Sequence, residues 1–196
     1  MCRAEAEATV DQRGLVERAR EGDPAAFTVL IDLTIARLDA AARLILRDPE
    51  LARDAVQEAL IRAWRDVPGL RDPDRFDAWL NRLTVNTCLD LARRRRRRPV
   101  EVEIIDLDLP AGRDLSTDIV NREMLDAALG ELDPQRRALV VLHYFLGMPM
   151  PDIARTVGIP LGTAKSRLHH AVAAMRASVT DEATPTGLPV ARGHSA

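Results

Sequence analysis

Apolar residues along this chain recur at mixed three- and four-residue intervals, the spacing that gathers them on one face of an α-helix. Leu15, Val16 and Ala19 form a short stripe that stops at Gly22. Phe27, Leu30, Ile31, Ile35, Leu38, Ala42 and Ile45 form a longer one, opened by Asp23-Pro24. There the carboxylate is placed to cap the first N–H groups, and proline takes the first helical position, where its missing N–H costs nothing. Asp48-Pro49 repeats the signal, and Ala52, Val56, Ala59, Leu60, Ala63 and Trp64 are predicted to point inward from the helix that follows. Pro68-Gly69 and a short loop then lead to a helix over about 74–95, with Phe76, Trp79, Leu80, Leu83, Thr87 and Leu91 on its buried side and Pro99 to stop it. One short and three long helices predict a first domain over residues 12–98.

Periodicity lapses over 99–116, where acids gather around Pro110 and Gly112, so this stretch is predicted to be an acidic flexible linker. The alternation over residues 100–104 leaves a short strand as the other possibility. A second domain is predicted over 117–177, with helices at about 118–130, 134–146, 151–157 and 162–176. Asp133-Pro134 and Pro151-Asp152 punctuate two of the starts. Ala138, Leu139, Leu142 and Phe145 are expected to pack against Ile153, Ala154, Val157, Ala164, Leu168 and Val172. Residues 178–196 have no pattern and read as a disordered tail. The fold class is therefore all-α, with two small helical domains joined by a linker.

Composition supports helices over sheets: aromatic residues make up 3% of the chain, and much of the 46% hydrophobic content is Ala, Leu and Val. A formal net charge of -2 gives no global argument for nucleic-acid binding. Local clustering does, because residues 93–98 are six consecutive arginines. Arginines suit the C-terminal end of a helix dipole, but six exceed that need and fit a track of phosphates. Cys2 and Cys88 do not make a disulfide framework, and Cys88 falls within a helical pattern as a small core side chain. No apolar run approaches 18 residues and no signal-peptide pattern is present, so the chain is expected to be cytoplasmic without membrane insertion.

The densest chemistry lies near the C-terminal end. The predicted helices at 151–157 and 162–176, separated by Gly158-Ile159-Pro160, have helix-turn-helix spacing. Ala164, Leu168 and Val172 take the inner face. Thr163, Lys165, Ser166, Arg167 and His170 are left pointing outward, as donors suited to base edges or phosphates. On the helix with the arginine run, Arg82, Asn86 and Asp90 lie four apart and away from the apolar stripe, so Asn86 is placed for a base and Arg82 for a phosphate. Asp54, Gln57, Glu58, Ile61, Arg62 and Arg65 cover the outer face of the preceding helix, where an isoleucine among charges hints at a protein contact. Two nucleic-acid surfaces on one small chain suggest a protein that holds two DNA elements at once. His143, His169, His170 and His194 lack the partners of a metal site, and neither a phosphate loop nor a nucleophile motif is present, so no cofactor, metal or enzymatic activity is expected. A self-sufficient helix-turn-helix regulator and a protein-interaction adaptor are the competing possibilities.

Four stretches together carry a family resemblance: Glu21-Gly22-Asp23-Pro24-Ala25-Ala26-Phe27; Asp54-Ala55-Val56-Gln57-Glu58-Ala59; Phe76-Asp77-Ala78-Trp79-Leu80 with Val85-Asn86-Thr87; and Ile159-Pro160-Leu161-Gly162-Thr163-Ala164-Lys165-Ser166-Arg167-Leu168. In this order and spacing the chain resembles a bacterial RNA polymerase sigma factor of the extracytoplasmic-function type, over about residues 12–177. The resemblance implies a promoter-specificity factor in which Asp54, Gln57, Glu58 and Ile61 dock on the clamp of the polymerase's largest subunit. It also implies contact with the flap of the second-largest subunit. Leu70, Arg71, Asp72, Arg75, Arg82, Asn86, Arg93 and Arg94 would engage the −10 element, capturing the non-template strand as a base leaves the stack. Thr163, Lys165, Ser166, Arg167 and His170 would read the −35 element as duplex. Leu60 replaces a frequent aromatic residue and Ala164 a usual valine; both keep the position apolar. The first ten residues carry no autoinhibitory pattern, so control is expected from an anti-sigma factor or from expression level.

Overall fold

Aspartate opens four of the helices. In the computed structural model, which describes residues 11–97 and 117–182, Asp11 caps α1 (Gln12–Arg20) through the Gly14 N–H at 3.0 Å. Asp23 caps α2 (Pro24–Leu46) by accepting from Ala25 and Ala26, at 2.9 and 3.2 Å. Asp48 accepts from Leu51 at 2.9 Å to start α3 (Pro49–Asp66). Asp133 does the same for α6 (Pro134–Val140), from Gln135 and Arg136. Each carboxylate satisfies N–H groups that the first turn leaves without a partner. Between α3 and α4 (Phe76–Arg97) lie two 3₁₀ turns, Val67–Gly69 and Pro73–Arg75. The remaining helices are α5 (Thr117–Gly130), α7 (Met150–Val157) and α8 (Leu161–Glu182).

The described residues are all-α and form two helical clusters, α1–α4 and α5–α8. In the first, Val16, Leu30, Leu38, Ile45, Phe76, Leu80 and Val85 are at most 1% exposed. In the second, Leu139, Leu142, Ile153, Ala164 and Ala171 fill the centre. The clusters also touch: α6 packs on α2 and α4, and α7 packs on α4, so the two cores join into one. Buried apolar surface at such a seam stabilises it by about 25 cal/mol per Å².

Four expectations change. Trp64 is 40% exposed, not buried; in the last turn of α3 its ring lies against Phe27 in the first turn of α2, with centroids 5.1 Å apart, so it packs at the ends of the two helices and not in the core between them. Phe145 is 45% exposed. The helix expected over 134–146 changes at Val141 into a π turn, Val141–Phe145, closed by the Leu146 N–H donating to the Val141 carbonyl at 2.9 Å. The wider turn sets back the rotation of the residues after Leu142, and the ring that α spacing would aim inward points out. Lastly, α7 begins at Met150 with Pro149 as its cap, so Pro151 and Asp152 lie inside its first turn. α8 runs to Glu182, past the expected end at 176. The predicted linker and possible strand lie outside the described residues, as do residues 183–196.

Candidate nucleic-acid interface

Gly158 ends α7 in the left-handed conformation (φ 71°), which glycine adopts without strain. The Ile159 N–H then donates to the Ala154 carbonyl at 3.1 Å, and the Ala164 N–H donates to Pro160 at 2.9 Å to open α8. Ala164, Leu168 and Ala171 are buried against the rest of the cluster. Lys165, Ser166, Arg167 and His170 are exposed, and Thr163 is half-buried at the edge of the same surface. Two hydroxyls, an ammonium, a guanidinium and an imidazole thus share the first three turns of a helix braced from behind by α7. That is the geometry of a helix that enters a major groove by its N-terminal end, where backbone N–H groups add attraction for a phosphate.

The second predicted surface is built around residues 70–75. Leu70 is 8% exposed and serves as an anchor, with its N–H donating to the Val67 carbonyl at 3.0 Å. Arg71, Asp72 and Arg75 are exposed, and Asp72 caps the Pro73–Arg75 turn through the Asp74 N–H at 3.1 Å. Helix α1 braces the loop: Gln12 Nε2 donates to Asp77 at 2.9 Å and Arg13 pairs with Asp74 at 3.0 Å. Arg82 is exposed on α4 and Asn86 is half-buried one turn further along. Arg71, Arg75 and Arg82 line a cleft of about 270 Å³ whose other wall belongs to α7 and the residues before it.

The arginines of α4 divide by role. Arg93 donates to the Leu89 carbonyl at 3.2 Å and pairs with Asp90 at 3.0 Å. Arg95 pairs with Asp48, the cap of α3. Burial raises the Asp48 carboxyl, but the Leu51 N–H and Arg95 outweigh it and leave its pKa below the usual 3.8. Arg94, Arg96 and Arg97 are exposed. One arginine of the run therefore ties α4 to α3, a role that six identical residues could not announce.

On α3, Asp54, Gln57 and Ile61 are exposed, Ile61 by 62%, while Glu58 is half-buried and paired with Arg62. Sequence reasoning missed further exposed apolar residues of the first cluster: Val29 and Leu33 on α2, and Trp64 on α3. Val29 and Leu33 are four apart and lie off the Leu30-Thr34-Leu38 stripe, which is the signal that would have found them. Tyr144 and Phe145 make a second exposed apolar site, on the π turn.

Comparison with known proteins follows the same division. Residues 30–98 match the family model of Sigma-70 region 2, and residues 122–175 match that of Sigma-70, region 4. The chain belongs to the sigma-70 family, in its extracytoplasmic-function branch. It is 36% identical over 138 residues to the RNA polymerase sigma-E factor of Streptomyces avermitilis, covering 69% of this chain and 75% of that one. To the ECF RNA polymerase sigma factor SigE of Mycolicibacterium smegmatis it is 35% identical over 156 residues, 76% of this chain and 60% of that longer protein. Among solved structures, CnrH in complex with the cytosolic domain of CnrY superposes with a TM-score of 0.63 at 27% identity, covering 87% of this chain and 98% of that one. A sigma factor is a promoter-specificity subunit and not an enzyme. Among the described residues of this one, no helix is long and apolar enough to cross a membrane.

Proposed function

We propose that this sigma factor joins core RNA polymerase through the outer face of α3, and carries two DNA-reading surfaces to one promoter. Asp54, Gln57, Glu58 and Ile61 meet the clamp of the largest subunit; the exposed aromatic pair Tyr144 and Phe145 offers region 4 an apolar contact for the flap of the second-largest subunit. Thr163, Lys165, Ser166, Arg167 and His170 read the −35 duplex. Leu70, Arg71, Asp72, Arg75, Arg82 and Asn86 take the non-template strand at −10, with Leu70 shaping the loop from beneath, and Arg93 and Arg94 run along the adjoining phosphates. The domain limits 12–98, 99–116 and 117–177 divide these tasks between the two regions, with α8 running on to Glu182 across the expected start of the tail at 178. Its place of work is the cytoplasm, with the polymerase. An anti-sigma factor is a fitting regulator, since the exposed Val29, Leu33, Ile61 and Trp64 give an inhibitor an apolar surface that polymerase also needs.

The observation that carries this proposal is the polar face of α8 against its buried Ala164-Leu168-Ala171 seam, in a chain that also has region 2. The test is promoter-DNA binding with and without purified core polymerase at fixed salt. Selective binding and opening near −10 that appear only with core are expected. Equally tight, specific duplex binding by the free chain would instead identify a stand-alone regulator, and no sequence-selective binding in either condition an adaptor.

A further inference from the structure

The cleft of about 270 Å³ beside residues 70–75 is lined by four arginines and two aspartates. Arg75 pairs with Asp72 at 3.4 Å and Arg155 of α7 pairs with Asp152, which occupies both carboxylates. Arg71 and Arg82 are exposed and have no carboxylate partner among the described residues. Two guanidinium groups left unneutralised on one concavity repel each other and draw in an anion. The floor of the cleft is of a different kind. Leu70 and Met148 are 8% and 6% exposed, and Trp79 is half-buried, its ring tilted on Phe76 with centroids 5.8 Å apart. An indole held in this way is a platform on which a flat heteroaromatic ring stacks, and a thioether adapts to such a ring.

A cationic rim over an apolar, aromatic floor calls for a ligand with a flat ring at one end and at least two negative charges at the other. The volume is near the low end of small-molecule clefts, roughly 300–1,000 Å³, which suits a single nucleotide and not a dinucleotide. We propose that this cleft binds a free nucleoside di- or triphosphate, its base on Trp79 and its phosphates between Arg71 and Arg82 of region 2 and Arg155 of region 4. Guanidinium groups grip phosphate oxygens in pairs, which a lysine ammonium does not. Arg155 is the diagnostic residue, because it has no part in either DNA surface. Thr156 beside it is 6% exposed and its hydroxyl donates to the Asp152 carbonyl at 2.9 Å, so α7 presents Arg155 from a well-anchored turn. A bound nucleotide engages Arg71 and Arg82 and so competes with a single strand. That consequence, and not the site itself, rests on the −10 assignment.

The test uses the full chain with Trp64→Phe, which leaves Trp79 as its one tryptophan, and follows indole fluorescence as ADP or GDP is added at fixed low salt. Saturable quenching by both nucleotides is expected, with inorganic pyrophosphate a weaker competitor because it has no base to stack. Arg155→Ala should weaken nucleotide binding about tenfold, the loss of one charge-assisted contact, and Arg155→Lys should recover only part of it. Arg155 is exposed, so both variants are expected to keep the wild-type melting curve. No saturable change with either nucleotide overturns the site. So does binding that Arg155→Ala leaves unaltered, which would put the phosphates on the arginine run of α4. A randomised single-stranded oligonucleotide pool separates the two sources of base and phosphate, and it is expected to displace the nucleotide. A chain that binds the pool but neither nucleotide overturns the proposal in favour of DNA alone. Nucleotide binding that the pool does not displace keeps the site and removes Arg71 and Arg82 from the −10 surface.

Discussion

Lys165 and Arg167 lie between two inward positions, Ala164 being buried and Leu168 closing the next turn. Neither long side chain contributes to the core, so truncation removes a contact with DNA and little else. Lys165→Ala or Arg167→Ala is expected to lose about 1–3 kcal/mol at the −35 element if each makes a good base contact. Binding of holoenzyme to matched and mutated −35 duplexes checks this, with unaltered thermal stability as the control; full binding by the double variant would remove both residues from the readout. Cys88 makes the opposite case. It is wholly buried in α4, and burial pushes its thiol up to about 12 from the ordinary 9.0. The unfolded chain therefore loses this proton first as pH rises, and the stability tied to the protonated thiol, complete below 9, is lost through about 12. In a Cys2→Ser background, native protein should not react with a thiol reagent at neutral pH, and labelling should follow global unfolding. The Cys88→Ala chain should show a shallower loss of stability above pH 9, after allowance for its cavity.

At the scale of the helix, α4 serves two masters through one charge run. Arg95→Ala breaks the tie to Asp48 and should lower thermal stability with little change in DNA binding, whereas Arg94→Ala or Arg96→Ala should spare stability and reduce the salt dependence of promoter binding by about one phosphate contact each. A run of identical residues has another property: deleting any single arginine within 93–98 still leaves an arginine at 95. Such a deletion should retain the melting temperature that Arg95→Ala loses. The helices themselves were legible because their starts are written locally. Asp23-Pro24, Asp48-Pro49 and Asp133-Pro134 each place a carboxylate and a preset φ where the first turn needs them. The outward set on α8 was equally legible, since three- and four-residue spacing assigns every position a side. Phe145 was misplaced because a π turn alters that spacing without a residue type to mark it. Trp64 was misplaced because an amphipathic pattern says which side of α3 is apolar, not how far α2 extends to cover it.

For the whole molecule, the decisive fact is that region 4 does not stand apart from region 2: α6 and α7 continue the core built by α2 and α4. Nothing periodic in the sequence indicates this: the pair that crosses the seam, Arg47 with Asp126 at 2.7 Å, joins two distant places in the chain, and neither residue lies on an apolar stripe. Two units that share a core unfold together, so the wild type should give one cooperative thermal transition by both near- and far-ultraviolet circular dichroism. Arg47→Gly removes the 2.7 Å pair with Asp126 from that seam but none of its apolar burial, so it should lower the single transition modestly without splitting it; two separated transitions would show that the ion pair, and not the shared core, couples the clusters. The same seam bears on exchange of parts between relatives. A chimera that keeps this region 2 and takes region 4 from another sigma factor keeps the Arg47 pair only if the incoming piece supplies a carboxylate at position 126 and, because a Cβ there would meet the guanidinium, no side chain at position 130. Without both, the hybrid carries a guanidinium with no partner at its seam, so exchanging promoter choice between relatives would also change thermal stability.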